Sequence, residues 1–326
     1  PYTVNKPGPG PAWANSLFED NAEFGYGMSL AYKARRDALK DKVEELAAMW
    51  TEEPECKAIL DAWVANMDDA EGSKKTAAAL VADLEKCKEE CNGHELELVE
   101  EILSEKDCLV KKSFWIIGGD GWAYDIGYGG LDHVIASGAD VNILVLDTEV
   151  YSNTGGQASK STPIGAVAKF ASSGKRIKKK DLGLIATTYG YVYVAQVAMG
   201  ADKNQVIKAL AEAEAYHGPS LVIAYATCIN HGIRMDMGQM EQKKAVEAGY
   251  WQLYRYNPNT GFTLDSKDPT ASYQDFIMGE TRYKSLKASK PEIAAKLFAR
   301  AEQDAKQRLE NYKIKAEETK AEHSKQ

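Results

Sequence analysis

Short, almost uninterrupted apolar runs that alternate with helical patterns place the tightest limit on the fold of this chain. The runs occupy residues 113–117, 141–147, 183–187 and 220–225. Strands that are covered on both faces are apolar in this way, whereas strands with one solvent face alternate apolar and polar residues. Helical patterns at 192–199 and 204–216 supply the crossover connections that parallel strands need. The sequence therefore predicts an α/β fold with a mostly parallel sheet and helices on both faces.

The composition changes along the chain and predicts four segments. Residues 1–29 are rich in Gly, Pro and aromatic residues, and the Gly-Pro repeat at 8–11 predicts a packed loop without helix or strand. Residues 30–110 are rich in Ala, Leu, Lys and Glu, which predicts a helical insertion with breaks at 72–73 and 92–93. We expect the α/β core in residues 111–260, followed in 261–326 by a loop and a helix that begins near Pro291.

Charge and cysteine content exclude several classes of protein. The 326 residues carry 40 basic and 48 acidic side chains, and this acidic balance is opposite to that of a nucleic-acid-binding surface. No apolar stretch approaches the roughly 20 residues that cross a bilayer, so no membrane contact is expected. Five cysteines without a disulfide-type spacing favour a reducing, cytoplasmic compartment. Because the chain begins with Pro1 rather than Met, we expect it to be a fragment of a longer polypeptide.

Polar residues follow two of the apolar runs, at what should be the same edge of the sheet. Gly119, Asp120 and Gly121 follow the first run, and a polar stretch at 147–157 that includes Thr148 follows the second. Mg²⁺ prefers about six oxygen ligands, to which a carboxylate, a hydroxyl and a backbone carbonyl can contribute. Glycines let the backbone approach phosphates closely. The pattern therefore predicts a site for a hydrated divalent cation bound to a diphosphate.

The residues alone leave two other interpretations open. The Gly-rich stretch at 118–121 could be a simple turn in which Asp120 caps a helix, although such a turn needs fewer polar residues than 147–157 supplies. A dinucleotide site is the second alternative. It is disfavoured because the glycines lack the G-x-G-x-x-G order and no acidic partner for a ribose is obvious.

Taken together, these motifs resemble the C-terminal part of pyruvate:ferredoxin oxidoreductase, a thiamine-dependent enzyme family. The resemblance rests on four segments in the same order, at residues 11–27, 118–130, 147–157 and 226–232. It covers most of residues 1–260 and is looser in the helical segment and after Gly261. It implies the thiamine-diphosphate-binding fold, oxidative decarboxylation of pyruvate to acetyl-CoA, and electron transfer through iron–sulfur clusters to ferredoxin or flavodoxin.

The resemblance also implies roles for individual residues. Mg²⁺ would be held by the Asp120 carboxylate, the Thr148 side chain and the Val150 carbonyl. The residues that would line the diphosphate and the thiazolium ring are Gly119, Gly121, Trp122, Glu149, Tyr151, Ser152 and Asn153. Asn153 would lie nearest the reacting carbon, and it is the catalytic candidate.

Cys228 is the one cysteine for which the resemblance implies a chemical role. Its position alone favours a buried, inert thiol. The resemblance instead implies that it is one ligand of a 4Fe-4S cluster, which needs about four thiolates. The other cysteines do not complete such a set, since Cys87 and Cys91 are predicted to be solvated on a helix and Cys56 and Cys108 stand alone. The three missing ligands would therefore come from outside this chain.

Three other features favour structural roles. His231, beside Cys228, is more often a hydrogen-bonded packing residue than a proton shuttle. The basic run at 175–180 could steer an acidic ferredoxin or the phosphates of coenzyme A, but a solvated turn is the more common case. Tyr189, Tyr191 and Tyr193 are expected to pack between sheet and helices.

The resemblance implies several partners: pyruvate, coenzyme A, ferredoxin or flavodoxin, the remaining domains of the same enzyme and a second copy in a homodimer. The isolated chain is expected to be inactive, because the residues that activate the cofactor and hold pyruvate belong to other domains in the family. Two alternatives remain: an oxidoreductase of another 2-oxoacid, and a non-catalytic assembly or electron-transfer module with the same fold.

Overall fold

Two structural units share the chain. The computed structural model describes residues 2–5, 8–12, 14 and 18–323, with the backbone alone in 2–5, 8–12 and 322–323. Unit 1 comprises Pro1–Gly25 and Trp115–Gln326, and unit 2 comprises Tyr26–Phe114. Unit 1 holds the sheet and the residues singled out above for a cation and a diphosphate, whereas the described part of unit 2 is helical.

A six-stranded sheet forms the centre of unit 1. Its strands are β3 (Trp115–Gly119), β4 (Asn142–Asp147), β5 (Tyr193–Val197), β6 (Ser220–Tyr225), β7 (Tyr254–Asn257) and β8 (Gly261–Leu264), in the spatial order β3-β4-β6-β5-β7-β8. The first four strands of this order are parallel, and β7 and β8 extend the sheet as an antiparallel hairpin. The sheet confirms the predicted mostly parallel α/β fold. The carboxyl ends of β3, β4 and β6 therefore lie side by side.

The helices of unit 1 connect the strands and follow them. They are α5 (Tyr128–Ala136), α6 (Leu182–Thr187), α7 (Lys203–Ala215), α8 (Gly238–Glu247), α9 (Tyr273–Ile277), α10 (Thr281–Ser289) and α11 (Pro291–His323). In α7, Val206, Ala209 and Ala213 share one face and pack in a cluster with Tyr193 and Val222 of the sheet. No helix in the described ranges has the length and apolar character needed to span a membrane.

The two elements between β4 and α7 are the reverse of the prediction. Residues 183–187 form most of α6 instead of a strand, because Asp181 caps the helix by accepting a hydrogen bond from the Leu184 amide at 3.0 Å. Residues 192–199 contain β5 instead of a helix, and all five β5 residues are buried. Short apolar runs fit a buried strand and a buried helix equally well, so the sequence pattern could not separate the two.

The N-terminal segment is not the loop that the composition predicts. Strands β1 (Tyr2–Asn5) and β2 (Gly8–Ala12) pair in an antiparallel ladder, and helix α1 already begins at Asn21. A strand with one partner needs its backbone donors only at alternate residues, so the alternating prolines of β2 do not prevent pairing. Residues 13 and 15–17 of the resembling segment lie outside the described residues.

Unit 2 is built from four helices. They are α1 (Asn21–Met49), whose first residues belong to unit 1, α2 (Pro54–Asn66), α3 (Ala70–Cys87) and α4 (Gly93–Ser104). Their core includes Leu46, Leu60, Trp63, Leu80, Leu84 and Ile102. The break predicted at 72–73 lies instead before Ala70, because Asp69 caps α3 by accepting from the Gly72 amide at 2.5 Å.

The cysteines of unit 2 are less exposed and less isolated than predicted. Cys56, Cys87 and Cys91 are half-buried and pack against the core, and Cys108 is buried. Cys56 does not stand alone, since its Sγ lies 3.9 Å from Cys87 Sγ. The prediction of a solvated surface at Cys87 and Cys91 is therefore wrong. The apolar face of α3 carries Cys87 toward the core, and Cys91 packs against the same core from the turn that follows α3.

Candidate functional site

The ends of two neighbouring strands bring Asp120 and Thr148 into contact. Asp120 follows β3 and Thr148 follows β4, and these strands pair in parallel. The Thr148 hydroxyl and backbone amide both donate to Asp120 Oδ1, at 2.9 and 3.1 Å. Asp120 Oδ2 accepts from the Ser159 hydroxyl at 2.7 Å. These bonds fix a carboxylate that is only 1% exposed at the carboxyl edge of the sheet.

Three oxygens at this edge are of the kinds that Mg²⁺ prefers as ligands. Thr148 Oγ1 lies 2.9 Å from Asp120 Oδ1 and 3.1 Å from the Val150 carbonyl oxygen. Adjacent oxygens around an octahedral Mg²⁺ are about 2.9–3.0 Å apart, given metal–oxygen distances of about 2.0–2.1 Å. Ser152 Oγ, 2.6 Å from the Thr148 hydroxyl, adds a fourth oxygen to the group. The structure therefore brings the three predicted ligands together, with the Thr148 hydroxyl at a suitable distance from each of the other two oxygens.

The electrostatics of Asp120 favour a cation beside it. Burial, and then the charge of Asp147, raise the pKa of the Asp120 carboxyl to about 7. Hydrogen bonds from Ser159 and Thr148 act in the opposite direction without cancelling these two causes. A divalent cation in contact with the carboxylate would stabilise its charged form and offset both.

Gly121 and Tyr151, both predicted to line a diphosphate, lie against each other. A Cβ at Gly121 would come within 2.6 Å of the Tyr151 ring, so the close approach requires glycine. At Gly119 an added Cβ would meet only the Leu146 carbonyl oxygen, at 4.0 Å, which leaves room beside this backbone. Trp122 is buried within the π-helical turn Gly121–Ile126 that follows Asp120, a type of turn frequent at functional sites.

Asn153, the catalytic candidate, is exposed in the turn that follows Ser152. Among the described residues, no hydrogen bond joins its side chain to the Asp120 group. Its predicted role near a reacting carbon therefore rests on the resemblance alone.

The Glu149 carboxylate lies in a separate buried network, not with the residues expected at a diphosphate. Its Oε1 lies 3.2 Å from Lys179 Nζ, and its Oε2 accepts from Arg282 at 2.7 Å and from Tyr250 at 2.5 Å. Although burial raises the pKa of Glu149, the charges of Lys179 and Arg282 hold it at about 2. Its backbone has a φ of 62°, in the left-handed region that few non-glycine residues adopt. The contacts of the Glu149 side chain therefore hold the 148–150 loop in place.

Sequence reasoning missed the residues that support this loop. Lys179 belongs to the basic run interpreted as a solvated turn, yet it is mostly buried and pairs with Asp147 at 2.7 Å. Lys175 of the same run donates to the Ser159 carbonyl oxygen. Only residues 176–178 of the run are exposed. The available signal for such cationic partners was the group of three carboxylates at the ends of the strands, on Asp120, Asp147 and Glu149, because buried carboxylates need cationic partners.

Cys228 lies just beyond the carboxyl end of β6, beside the same group. Its Sγ is 3.4 Å from Ser152 Oγ and 3.3 Å from Asn230 Nδ2. Asn230 also packs closely against Gly156, where an added Cβ would come within 2.3 Å of Asn230 Oδ1. The φ of Gly156 is 86°, in the left-handed region that favours glycine. Cys228 is the only cysteine in the sequence of unit 1, so this unit offers a single thiolate for a cluster.

His231 supports the 148–150 loop through the backbone of Thr148. Its Nε2 donates to the Thr148 carbonyl oxygen at 2.9 Å, and its ring is fully buried. Burial lowers the pKa of His231 to about 3, so the ring is neutral near pH 7. These contacts agree with the packing role favoured from the sequence.

Of the three tyrosines of the 189–193 stretch, Tyr193 is buried as expected and Tyr189 is half-buried, whereas Tyr191 is exposed. The hydroxyls of Tyr189 and Tyr193 donate to Asp132 and Glu212 at 2.7 and 2.9 Å. The Tyr191 hydroxyl donates to the Ala136 carbonyl oxygen at 3.1 Å. These bonds join the start of β5 to helices α5 and α7.

A known domain family matches the stretch of chain that contains this site. Residues 106–224 match the family described as thiamine pyrophosphate enzyme, C-terminal TPP binding domain. Thiamine pyrophosphate and thiamine diphosphate are the same cofactor. The matched range includes Asp120, Thr148 and Val150, the three candidate ligands.

Known proteins match over nearly the whole chain. A pyruvate:ferredoxin oxidoreductase of Moorella thermoacetica is 61% identical over 323 residues, which are 97% of this chain and 28% of the relative. A pyruvate-flavodoxin oxidoreductase of Klebsiella pneumoniae is 55% identical over 96% of this chain and 27% of its own length. A pyruvate dehydrogenase [NADP(+)] of Cryptosporidium parvum is 46% identical over 90% of this chain and 18% of its own length.

A solved 2-oxoglutarate:ferredoxin oxidoreductase from Magnetococcus marinus matches more weakly. It shows 24% identity and a TM-score of 0.34 over 36% of this chain and 40% of that chain, values too low to support any inference.

The chain spans less than a third of the length of the curated relatives named above. It carries a thiamine pyrophosphate-binding domain and corresponds to one part of the pyruvate:ferredoxin and pyruvate-flavodoxin oxidoreductases.

Proposed function

We propose that this chain binds the diphosphate of thiamine diphosphate through a Mg²⁺ ion held by Asp120, Thr148 and Val150. One observation carries the proposal: where β3 and β4 end, a carboxylate oxygen and a carbonyl oxygen lie 2.9 and 3.1 Å from the same hydroxyl, as adjacent ligands of Mg²⁺ would. Parallel α/β sheets bind ligands at the carboxyl ends of their strands. The match to a thiamine pyrophosphate-binding domain supports thiamine diphosphate as the molecule that carries this diphosphate.

Each residue of the site has a defined task in this proposal. Asp120 supplies the negative charge that the cation requires, and Ser159 holds its second oxygen. Thr148 supplies a hydroxyl, and His231 fixes the backbone that carries it. Open space at Gly119 lets phosphate oxygens approach the main chain. When bound, thiamine diphosphate would supply the carbanion-stabilising ring that decarboxylation of a 2-oxoacid needs.

At the level of the whole enzyme, we propose oxidative decarboxylation of pyruvate to acetyl-CoA with transfer of electrons to ferredoxin or flavodoxin. The names of the relatives support pyruvate as the substrate and these proteins as acceptors. Coenzyme A, the remaining domains and a second copy of the enzyme complete the proposed partners. The five unpaired cysteines fit a reducing compartment, and we place the enzyme in the cytoplasm.

The completeness of the oxygen group favours catalysis over a purely structural module. A module kept only for assembly or electron transfer would need the fold but no buried carboxylate beside a hydroxyl and a carbonyl oxygen. A buried carboxylate next to Asp147 is costly unless a cation or a proton compensates it. The chain on its own is expected to bind cofactor without turning over pyruvate.

Isothermal titration of the chain with thiamine diphosphate tests the proposal. We expect saturable heat in the presence of Mg²⁺ and none when the metal is removed with a chelator, because without the cation the charges of Asp120 and the diphosphate would repel each other. Thiamine, which lacks the diphosphate, is the matched ligand control and should give no heat. Equal heats for both ligands would contradict a site that recognises the diphosphate.

The raised pKa of Asp120 predicts how the metal-free site responds to pH. The folded-state pKa of Asp120, about 7, lies above the ordinary value of 3.8. Between about pH 4 and pH 7 the folded chain therefore keeps a proton that the unfolded chain has already released. Stability of the metal-free chain should therefore fall as the pH rises through this window. Carboxyl ¹³C NMR should show one aspartate titrating near pH 7, absent in Asp120→Asn and ionised throughout this window once Mg²⁺ and thiamine diphosphate are added.

We further propose that Cys228 is one ligand of a 4Fe-4S cluster whose other ligands lie outside this chain. Anaerobic reconstitution with iron and sulfide should then give no stable cluster on the chain alone, since about four thiolates are needed. The intact enzyme should lose the iron of one cluster on Cys228→Ala. Its matched control, Cys108→Ala, should keep that iron. An unchanged iron content in Cys228→Ala would exclude Cys228 as a ligand.

A further inference from the structure

Two cysteines and an aspartate of unit 2 form a compact group that the proposed function does not use. Cys56 lies in the first turns of α2, and Asp83 and Cys87 lie one helical turn apart near the end of α3. Their ligand atoms all fall within 4.8 Å of one another. Residues four apart on a helix share a face, so α3 presents both groups to the same point of α2.

The distances within the group suit a tetrahedral metal ion. The two Sγ atoms are 3.9 Å apart, and Cys56 Sγ lies 4.0 Å from Asp83 Oδ1. With Zn–S distances of about 2.3 Å, two thiolates of a tetrahedral Zn²⁺ are about 3.8 Å apart. A thiolate and a carboxylate oxygen on the same ion are about 3.5 Å apart, so Asp83 Oδ1 and Cys56 Sγ would have to approach by about 0.5 Å on binding.

The second carboxylate oxygen gives an independent sign of a missing partner. Asp83 Oδ2 is buried, and it has no hydrogen-bond partner among the described residues. A buried carboxylate oxygen without a partner is costly, and native structures rarely keep one unless an ion or a water satisfies it. A cation between Asp83 and the two sulfurs would remove this cost.

We propose that Cys56, Asp83 and Cys87 bind a Zn²⁺ ion that ties α2 to α3, with water as the fourth ligand. Thiolate sulfur selects Zn²⁺ over the hard cations Mg²⁺ and Ca²⁺, so this site and the Asp120 site take different metals. Binding releases the two thiol protons to solvent and involves no change in oxidation state. The ion would have a structural role in unit 2.

A disulfide between Cys56 and Cys87 is the competing use of the same pair. The sulfur separation of 3.9 Å, well beyond the bond length of about 2.05 Å, describes the reduced pair. A disulfide would leave the buried Asp83 Oδ2 without a partner among the described residues, whereas a cation would satisfy it. The geometry of the group therefore favours a cation over oxidation.

Metal analysis of the whole chain, purified under reducing conditions, tests the site. We expect about one equivalent of Zn²⁺ per chain by mass spectrometry of the metals. Cobalt substitution should give thiolate-to-metal charge-transfer bands and the intense visible bands of tetrahedral Co²⁺. Cys56→Ser and Cys87→Ser should each lower the Zn²⁺ affinity by more than about 100-fold, beyond the 10–100-fold typical of residues that only support a ligand.

Two control variants make the outcome decisive. Cys91→Ser removes a half-buried thiol one turn beyond Cys87 and should keep the full equivalent of Zn²⁺. Asp120→Ala, in unit 1, should keep it as well. Circular dichroism and thermal melting show whether each variant is folded. Zinc lost equally from Cys91→Ser, zinc retained by Cys87→Ser, or a Cys56–Cys87 disulfide with no metal would each overturn the proposal.

Discussion

Asp120→Asn is expected to lower the affinity of the chain for Mg²⁺-thiamine diphosphate by about 30-fold or more. Removing one partner of a buried, hydrogen-bonded charge pair costs about 2–5 kcal/mol, and about 1.4 kcal/mol corresponds to a tenfold change in affinity. Asparagine keeps the shape of aspartate and an oxygen that can accept from Thr148, but it lacks the charge that the cation needs. Isothermal titration at fixed Mg²⁺ concentration measures the loss.

The same substitution should leave the fold of the metal-free chain intact. Burial and the neighbouring Asp147 oppose the charged form of Asp120, so a neutral side chain relieves both causes. The melting temperature of metal-free Asp120→Asn at pH 8 should therefore equal or exceed that of the wild type. Asp236→Asn, an exposed carboxylate paired with Arg234, is the matched control and should change neither property. Full affinity in Asp120→Asn would refute the assignment of this metal site.

Arg282→Met is expected to destabilise unit 1 by about 3–5 kcal/mol. Arg282 is 1% exposed, and it donates to Glu149 at 2.7 Å and to Glu280 at 2.6 Å. Methionine fills a similar volume, but it leaves Glu280 without its cationic partner and Glu149 with Lys179 alone. Removing one partner of a buried ion pair in this way costs about 3–5 kcal/mol. Chemical denaturation followed by tryptophan fluorescence should show the shift in the unfolding of unit 1.

An exposed arginine supplies the control for this prediction. Arg234 pairs with Asp236 on the surface, so Arg234→Met should change the free energy of unfolding by no more than about 1 kcal/mol. Because Arg282 supports Glu149 and hence the loop of Thr148 and Val150, Arg282→Met should also weaken Mg²⁺-thiamine diphosphate binding. A stability loss that matches the surface control would show that the buried network contributes little.

The part of the fold that follows from strand burial was predictable. Strands β3, β4 and β6 are apolar runs that end in glycine or polar residues, and they lie where the sequence placed them. β5 and α6 were exchanged, since short apolar runs carry no period that separates strand from helix. The β7–β8 hairpin was missed, although Asn257 and Gly261 at its turn are residues that favour turns.

The candidate site was predictable to the extent that it lies in contiguous sequence. Asp120, Thr148 and Val150 each follow an apolar run closely, so strand order alone brings them to one edge. Arg282 is 133 residues from Glu149, and no local pattern links the two. Lys179 was placed on the surface because a basic run is usually solvated, and only tertiary structure shows which of its residues turn inward.

The left-handed backbone of Glu149 has a consequence for the energetics of binding. Such a conformation costs a non-glycine residue about 1–3 kcal/mol, and here the ion pairs of its side chain hold it in place. The two flanking oxygens, on Thr148 and Val150, are therefore positioned during folding rather than by the ligand. The cation that we propose for this site would therefore lose little affinity to the entropy of ordering the loop.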